Sequence, residues 1–329
     1  MNRIIRLALP GCFAAAVISL GSAPAHQQPA RPDDALKLAA DLVVLDVEAV
    51  SKKTRLAVAG LGKEDFVLYE DGAKQYISYF SQDKLPLSIL ILLDVSSSIA
   101  PNFDRLQSAA TTALARLKEN DEAALMAFGG TARVVQAFTS NKQLVGNAIL
   151  TADATGLEQG TDVNEGVYQA ATYLETRASP PSRRVIIAIT DDMTSQNIRT
   201  PRSDSSVFRK VHETQAVVCG IIFYSPYKRV LIGQTASIRT YAETTGGKVV
   251  AADSKRLDAN LTQIIEHLRT RYSLGFVSAN EKRDGSFRKI KLEASPETVQ
   301  RLGSVEIVTR KGYYSRGPKE VTTPKDKRH

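Results

Sequence analysis

Asp94, Ser96 and Ser98 stand at alternate positions directly after Leu87–Leu93, an almost unbroken run of Leu and Ile. One carboxylate and two hydroxyls at that spacing put three oxygen donors on a single short turn. Oxygen donors suit a hard divalent cation, and Mg²⁺ in particular keeps several waters and takes only one or two protein carboxylates. Two other segments carry the same chemistry. Gly160-Thr161 precedes a helical stretch beginning at Asp162, and Thr190-Asp191 follows the apolar run Val185–Ile189. In an open α/β sheet, ligands bind at the edge where the parallel strands end, so all three segments belong at one edge. Each has an ordinary reading when taken alone. Asp94 and the serines also suit a polar turn with a helix cap, and Asp162-x-x-Glu165 reads as a capping box. The expectation of a metal site, with Asp94, Ser96, Ser98, Thr161 and Asp191 as its donors, rests on the set.

The elements needed to bring these segments together are legible in the apolar periodicity. From Pro86 onward, short apolar runs alternate with longer helical stretches, the pattern of a mostly parallel sheet covered on both faces. Leu87–Leu93 reads as a central strand buried on both sides. Pro101–Glu119 carries a helical stripe of Leu106, Ala110, Ala113, Leu114 and Leu117. Ala123–Phe128 and Val134–Phe138, joined by Gly129-Gly130-Thr131, read as an antiparallel hairpin at the sheet edge. Asp162–Arg177, Ile238–Thr245 and a closing stretch through Leu257, Leu261, Ile264, Ile265 and Leu268 read as helices, while Val217–Phe223 and Lys248–Ala251 read as strands.

The flanks are β-rich. Val43, Leu45, Val47 and Ala49 alternate along one strand, and Phe66–Glu70 is followed by Asp71-Gly72 and then Gln75–Phe80, a strong hairpin signal. After Arg271 the β pattern returns at Tyr272–Val277, Phe287–Leu292 and Val305–Tyr313. A small sheet needs a second layer to bury its apolar face. The early and late strands therefore predict one β-sandwich into which the α/β part is inserted. The expected organisation is 1–25 leader, 26–40 linker, 41–85 first half of the sandwich, 86–271 α/β domain, 272–315 second half of the sandwich and 316–329 basic tail.

At the start, Arg3 and Arg6 precede an apolar stretch to Gly21, and Ser22-Ala23-Pro24-Ala25 supplies a small-residue cleavage site. That order predicts a secretory signal peptide and a periplasmic or secreted product. Its removal takes Arg3, Arg6 and Cys12, which lowers the net charge to about +6. Cys219 is then the lone cysteine, in an apolar run, so no internal disulfide is available. No later apolar run has the length of a membrane span. Aromatics are not interspersed with the basic residues along the sequence, which argues against a nucleic-acid partner.

Asp-x-Ser-x-Ser, a distant Gly-Thr before a helix and Thr-Asp after a buried strand together resemble the metal-ion-dependent adhesion site (MIDAS) of von Willebrand factor type A (VWFA) domains, over roughly residues 86–271. The resemblance implies a doubly wound sheet with one antiparallel edge strand. It also implies a metal held by Asp94, Ser96, Ser98, Thr161 and Asp191, some through water, and a partner's Asp or Glu completing the coordination. It implies too that the closing helix shifts when that position is filled. The flanks Leu61-Gly62-Lys63-Glu64-Asp65-Phe66 and Arg310-Lys311-Gly312-Tyr313-Tyr314 resemble the ends of exported bacterial proteins described as VWFA-related. One residue departs from the family pattern: Asp192 stands where Gly usually follows Thr-Asp. A second acid there either adds negative charge beside the metal or turns to solvent as a helix-start residue, and the sequence leaves both open.

The expected function is therefore non-catalytic, metal-dependent recognition of a protein partner, with Mg²⁺, Mn²⁺ or Ca²⁺ as the ion. A metal-independent envelope scaffold is the first alternative and a metal-assisted hydrolase the second. Catalytic signals are weak. Gly-x-Ser-x-Gly and the phosphate-binding Gly-rich loop are absent, and His26, His212, His267 and His329 share no short metal-ligand spacing. His212 and His267 are expected on separate helices, at the surface or half-buried.

Overall fold

The computed structural model describes residues 42–82, 85–97, 104, 111, 114–195, 202–223, 237–252 and 256–317. The leader (1–25), the linker (26–40), Ser98, most of the stretch Pro101–Glu119 and the tail from residue 318 onward lie outside the described residues.

Strand β5 (Leu87–Asp94) is buried along its whole length and forms the middle of a six-stranded sheet. Its partners are β6 (Glu122–Phe128) and β8 (Arg183–Thr190), both parallel to it. Beyond β8 lie β9 (Val217–Ile222) and β10 (Val249–Ala251), again parallel, while β7 (Ala132–Thr139) closes the other edge antiparallel to β6. Alternation along β5 assigns its side chains to two separate cores. Ile89, Ile91 and Leu93 share one with Val145 and Ile149 of helix α1 (Lys142–Thr151) and with Leu261, Ile264, Ile265 and Leu268 of helix α5 (Leu257–Arg269). Leu90 and Leu92 share the other with helices α2 (Val163–Arg177), α3 (Asp204–Thr214) and α4 (Ile238–Thr245). Each such side chain contributes roughly 1.5–3 kcal/mol by leaving water. A strand covered by helices on both faces is apolar nearly throughout, which is why β5 reads as an almost unbroken run, with the buried Ser88 hydroxyl bonded to Glu122 and Ser182.

Two four-stranded antiparallel sheets are built from the chain's ends. One has the order β13 (Val305–Val308), β1 (Leu42–Ser51), β11 (Tyr272–Val277), β4 (Ile77–Ser81). The other has the order β14 (Gly312–Tyr314), β12 (Phe287–Ala294), β2 (Phe66–Glu70), β3 (Ala73–Gln75). Leu45, Val47, Phe66, Leu68, Leu274, Phe276, Ile290 and Leu292 form the single core between them. The β2–β3 turn has positive φ at both Asp71 and Gly72, as an Asp-Gly hairpin requires.

Two expected strands prove to be pairs. Gln75–Phe80 divides at Tyr76, which is 75% exposed, so that β3 stays in one sheet and β4 crosses to the other. Val305–Tyr313 divides in the same way between β13 and β14. Both corners come from one cause: a sandwich of short sheets needs strands that change layer, and periodicity of two continues through such a corner unmarked. Residues 104, 111 and 114 of the stretch Pro101–Glu119 are helical, but turns begin at residue 115. The helix α1 and the short helix α6 (Pro296–Leu302) were not expected from the apolar pattern.

The α/β layers meet β1 through a buried polar seam. The Arg183 guanidinium donates to Asp46 Oδ1 at 2.8 Å and to the Leu268 carbonyl near the end of α5 at 2.6 Å. Glu48, fully buried on β1, receives Lys248 Nζ at 2.8 Å and contacts His267 Nδ1 of α5 at 2.6 Å.

Candidate metal centre

Asp94 is the last residue of β5. The pairing of Leu93 with Ile189 sets Asp94 beside Thr190, and Thr190 Oγ1 donates to Asp94 Oδ2 at 2.7 Å. The Ser96 backbone N–H donates to Asp94 Oδ1 at 2.9 Å, which folds the turn back over the strand end. The Asp94 side chain is completely buried, and that burial pushes its carboxyl up to about 6 even though hydrogen bonds from Ser96 and Thr190 oppose the shift and the Asp191 charge adds to it.

Thr161 is positioned from the other side. Gly160, at φ +96, turns the chain, and Asp162 then caps α2 by accepting the Glu165 backbone N–H at 3.0 Å. The Asp162 N–H donates to the Gly129 carbonyl at 2.8 Å, tying this corner to the β6–β7 turn. That turn lies so close to residues 158–160 that a Cβ at position 130 would stand 2.8 Å from the Gln159 carbonyl oxygen, which only glycine avoids.

Asp191 follows β8 and is buried. Ser96, Thr161 and Asp191 line one open cleft of about 570 Å³, with Val95, Ser97, Gly160, Met193 and Ser195 on its walls. Asp94 directly precedes the lining residues Val95 and Ser96, and its carboxyl feels the charge of Asp191. The structure thus brings together four of the five expected donors, and Ser98 lies outside the described residues. Among the described residues neither Asp94 nor Asp191 forms an ion pair, and the charge of Asp191 acts on the Asp94 carboxyl, which accepts hydrogen bonds from Ser96 and Thr190. Such a set fits a hard divalent cation, which would neutralise both charges. No group of three or more His, Cys, Asp or Glu side chains arranged to hold a metal ion occurs among the described residues. A donor set of two carboxylates and hydroxyls is of a different kind.

Asp192 is half-buried and serves at a helix start. It adopts φ +58, the left-handed region in which glycine is easiest, and its Oδ1 accepts the Ile238 backbone N–H at 2.9 Å at the start of α4. Thr190 and Ser195 were missed as contributors. Thr190 holds the Asp94 carboxylate, and its place at a strand end next to Asp191 was the available signal. Ser195 bonds to Thr161, and nothing in the sequence marks it. His212 and His267 are not among the residues that line the cleft. His267 is half-buried as expected, whereas His212 is only 4% exposed because Phe287 and Tyr314 of the sandwich cover it, with ring centroids 5.3 and 6.3 Å away.

Residues 89–194 match the von Willebrand factor type A domain family, and the six-stranded sheet with its helices has that fold. The match covers the three segments that line the cleft and stops at the loop after β8. Similar solved structures include the conserved hypothetical protein BatB from Bacteroides thetaiotaomicron, at 17% identity over 55% of this chain and 98% of that one, TM-score 0.44. Proximal thread matrix protein 1 from the mussel byssus, with a zinc-occupied MIDAS motif, has 17% identity over 62% and 50%, TM-score 0.45. A von Willebrand factor type A protein from Catenulispora acidiphila has 11% identity over 85% and 74%, TM-score 0.44. No curated protein matches this chain.

Proposed function

We propose that the chain is an exported, non-catalytic recognition protein that captures a partner's Asp or Glu through a divalent metal. Asp94, Ser96, Thr161 and Asp191, with Ser98 from the adjoining turn, hold the ion directly or through water. The two carboxylates roughly neutralise it and leave an electrophilic position for the incoming carboxylate. One observation carries the reading: a buried carboxylate, with no ion-pair partner among the described residues, adjoins a cleft lined by hydroxyls and a second carboxylate. The family match over residues 89–194 supports a binding module rather than an enzyme. Mg²⁺ is the assigned ion because the set holds only two carboxylates and leaves room for water. No helix among the described residues is long and apolar enough to cross a membrane. The leader expected at residues 1–25 and the division into 41–85, 86–271 and 272–315 belong to the same proposal.

The test is a pull-down from the extracytoplasmic fraction in Mg²⁺ or in chelator, run beside calorimetric titration with MgCl₂, on the parent and on Asp94→Ala. A partner retained only by the Mg²⁺-loaded parent, released by chelator and absent from the variant, is the expected result. Identical retention in every lane, with no heat of Mg²⁺ binding, overturns the proposal in favour of a metal-independent scaffold.

A further inference from the structure

We propose that Ser195, which is outside the donor set, is a positioning residue that locks the Thr161 loop to the Asp191 loop before any ion arrives. The proposal rests on the metal reading above and deepens it.

Two reciprocal hydrogen bonds make the lock. The Thr161 N–H donates to Ser195 Oγ at 2.9 Å, and the Ser195 N–H donates to the Thr161 carbonyl at 2.8 Å. Both polar groups of the Thr161 backbone are thereby held by one residue, 34 positions further on. Each loop has a second anchor. On the Thr161 side, the Asp162 N–H is fixed to the Gly129 carbonyl at 2.8 Å. On the Asp191 side, the Asp192 N–H donates to Thr190 Oγ1 at 3.0 Å and the Asp192 carboxylate holds the start of α4. Asp191 therefore stands between the end of β8 and the anchored Asp192, on a loop whose far end is held at Ser195, and Thr161 is itself one of two consecutive anchored residues.

The chemical consequence follows from the donor set. An ion bound by side chains from three loops must order all of them unless the fold has already done so, and that ordering subtracts from affinity. Asp94 and Asp191 lie on neighbouring strand ends and are brought together by the sheet itself. Thr161 has no such support, because it precedes a helix on the sheet's face and reaches the cleft only through its loop. Ser195 supplies that support. Residues that orient ligands from outside the coordination shell typically change metal affinity by roughly 10–100-fold when removed.

The experiment uses the full chain as parent, Ser195→Ala and Ser195→Thr. Ala removes the Oγ acceptor and keeps the backbone donor, while Thr restores a hydroxyl at the same place. Hydrogen exchange is followed by mass spectrometry in chelator, and Mg²⁺ binding by calorimetry with MgCl₂ alone. In chelator, the segment 157–163 should exchange faster in Ser195→Ala, with the strands of the sheet unchanged, and return to the parent rate in Ser195→Thr. Mg²⁺ affinity should fall about ten-fold in Ser195→Ala and recover in Ser195→Thr. Unchanged exchange in Ser195→Ala overturns the lock, whatever the metal does. Faster exchange with Mg²⁺ affinity still within two-fold of the parent overturns the positioning role and leaves the metal reading intact. A parent that binds no Mg²⁺ overturns the metal reading, and the role of Ser195 with it.

Discussion

The carboxylate of Asp192 accepts the backbone N–H of Ile238 at 2.9 Å, 46 residues further along the chain. Ile238 is the first residue of α4, whose opening N–H groups have no partner within the helix. Ser237 takes the Thr240 N–H, and Asp192 takes the one Ser237 does not reach. The acid that replaces glycine after Thr-Asp is therefore engaged with a helix start, where a negative charge is also favoured by the helix dipole. It leaves Asp191 as the carboxylate that faces the cleft.

Asp192→Asn should leave stability within about 0.5 kcal/mol of the parent, since Asn caps helices and tolerates positive φ equally well. Asp192→Ala removes the acceptor and strains the backbone, and should cost about 1–2 kcal/mol in urea denaturation. Mg²⁺ affinity should be unchanged in Asp192→Asn. A ten-fold loss there would place the Asp192 carboxylate at the ion.

Asp94→Asn separates the proposed metal role of this residue from its place in the fold. Burial has moved the carboxyl from 3.8 to about 6, so the charged form costs roughly 3 kcal/mol at neutral pH when nothing offsets it. The neutral amide removes that cost. In chelator the variant should melt at or above the parent temperature, and the parent alone should gain stability on addition of Mg²⁺. A variant that melts well below the metal-free parent and still shifts with Mg²⁺ would place the ion elsewhere.

His212 gives a pH dependence of defined sign. Burial is the main reason that its pKa drops to about 4, and the Arg310 charge lowers it further. Its folded value lies below the unfolded 6.5, so the unfolded chain binds the proton first as pH falls. The stability it supports is present above about 6.5 and is lost as pH falls toward 4, by roughly 3 kcal/mol. His212→Gln should flatten the stability–pH curve between those limits. An unchanged slope would mean that His212 is protonated in the folded protein.

Glu48 on β1 holds His267 of α5 and Lys248, the residue before β10, and Arg271 lies 3.7 Å from its second oxygen. Glu48→Gln leaves the buried Arg271 without a carboxylate and should cost about 3–5 kcal/mol in chemical denaturation. Faster hydrogen exchange should concentrate in Leu257–Arg269 and in β1. A loss below 1 kcal/mol would show that α5 is held by its apolar face alone.

How much was legible depended on the range of the interaction. Strand β5 declared itself because burial on two faces leaves almost every position apolar, and α2 declared its start because Asp162 caps it through an N–H only three residues away. The proposed donors Asp94, Ser96, Thr161 and Asp191 could be singled out for the same reason: each stands next to the end of an element whose period is written in adjacent residues. Tertiary structure alone decided how those ends combine. Tyr76 sends one apolar run into two sheets, Asp192 bonds to a helix start 46 residues on, His212 is covered by Phe287 and Tyr314, and Ser195 closes on Thr161. Periodicity records which face of an element avoids water, and it holds no information on which distant backbone group a polar side chain will meet. That choice is made only when the sheets and helices pack, because an unpaired polar group is costly only once packing has removed its water.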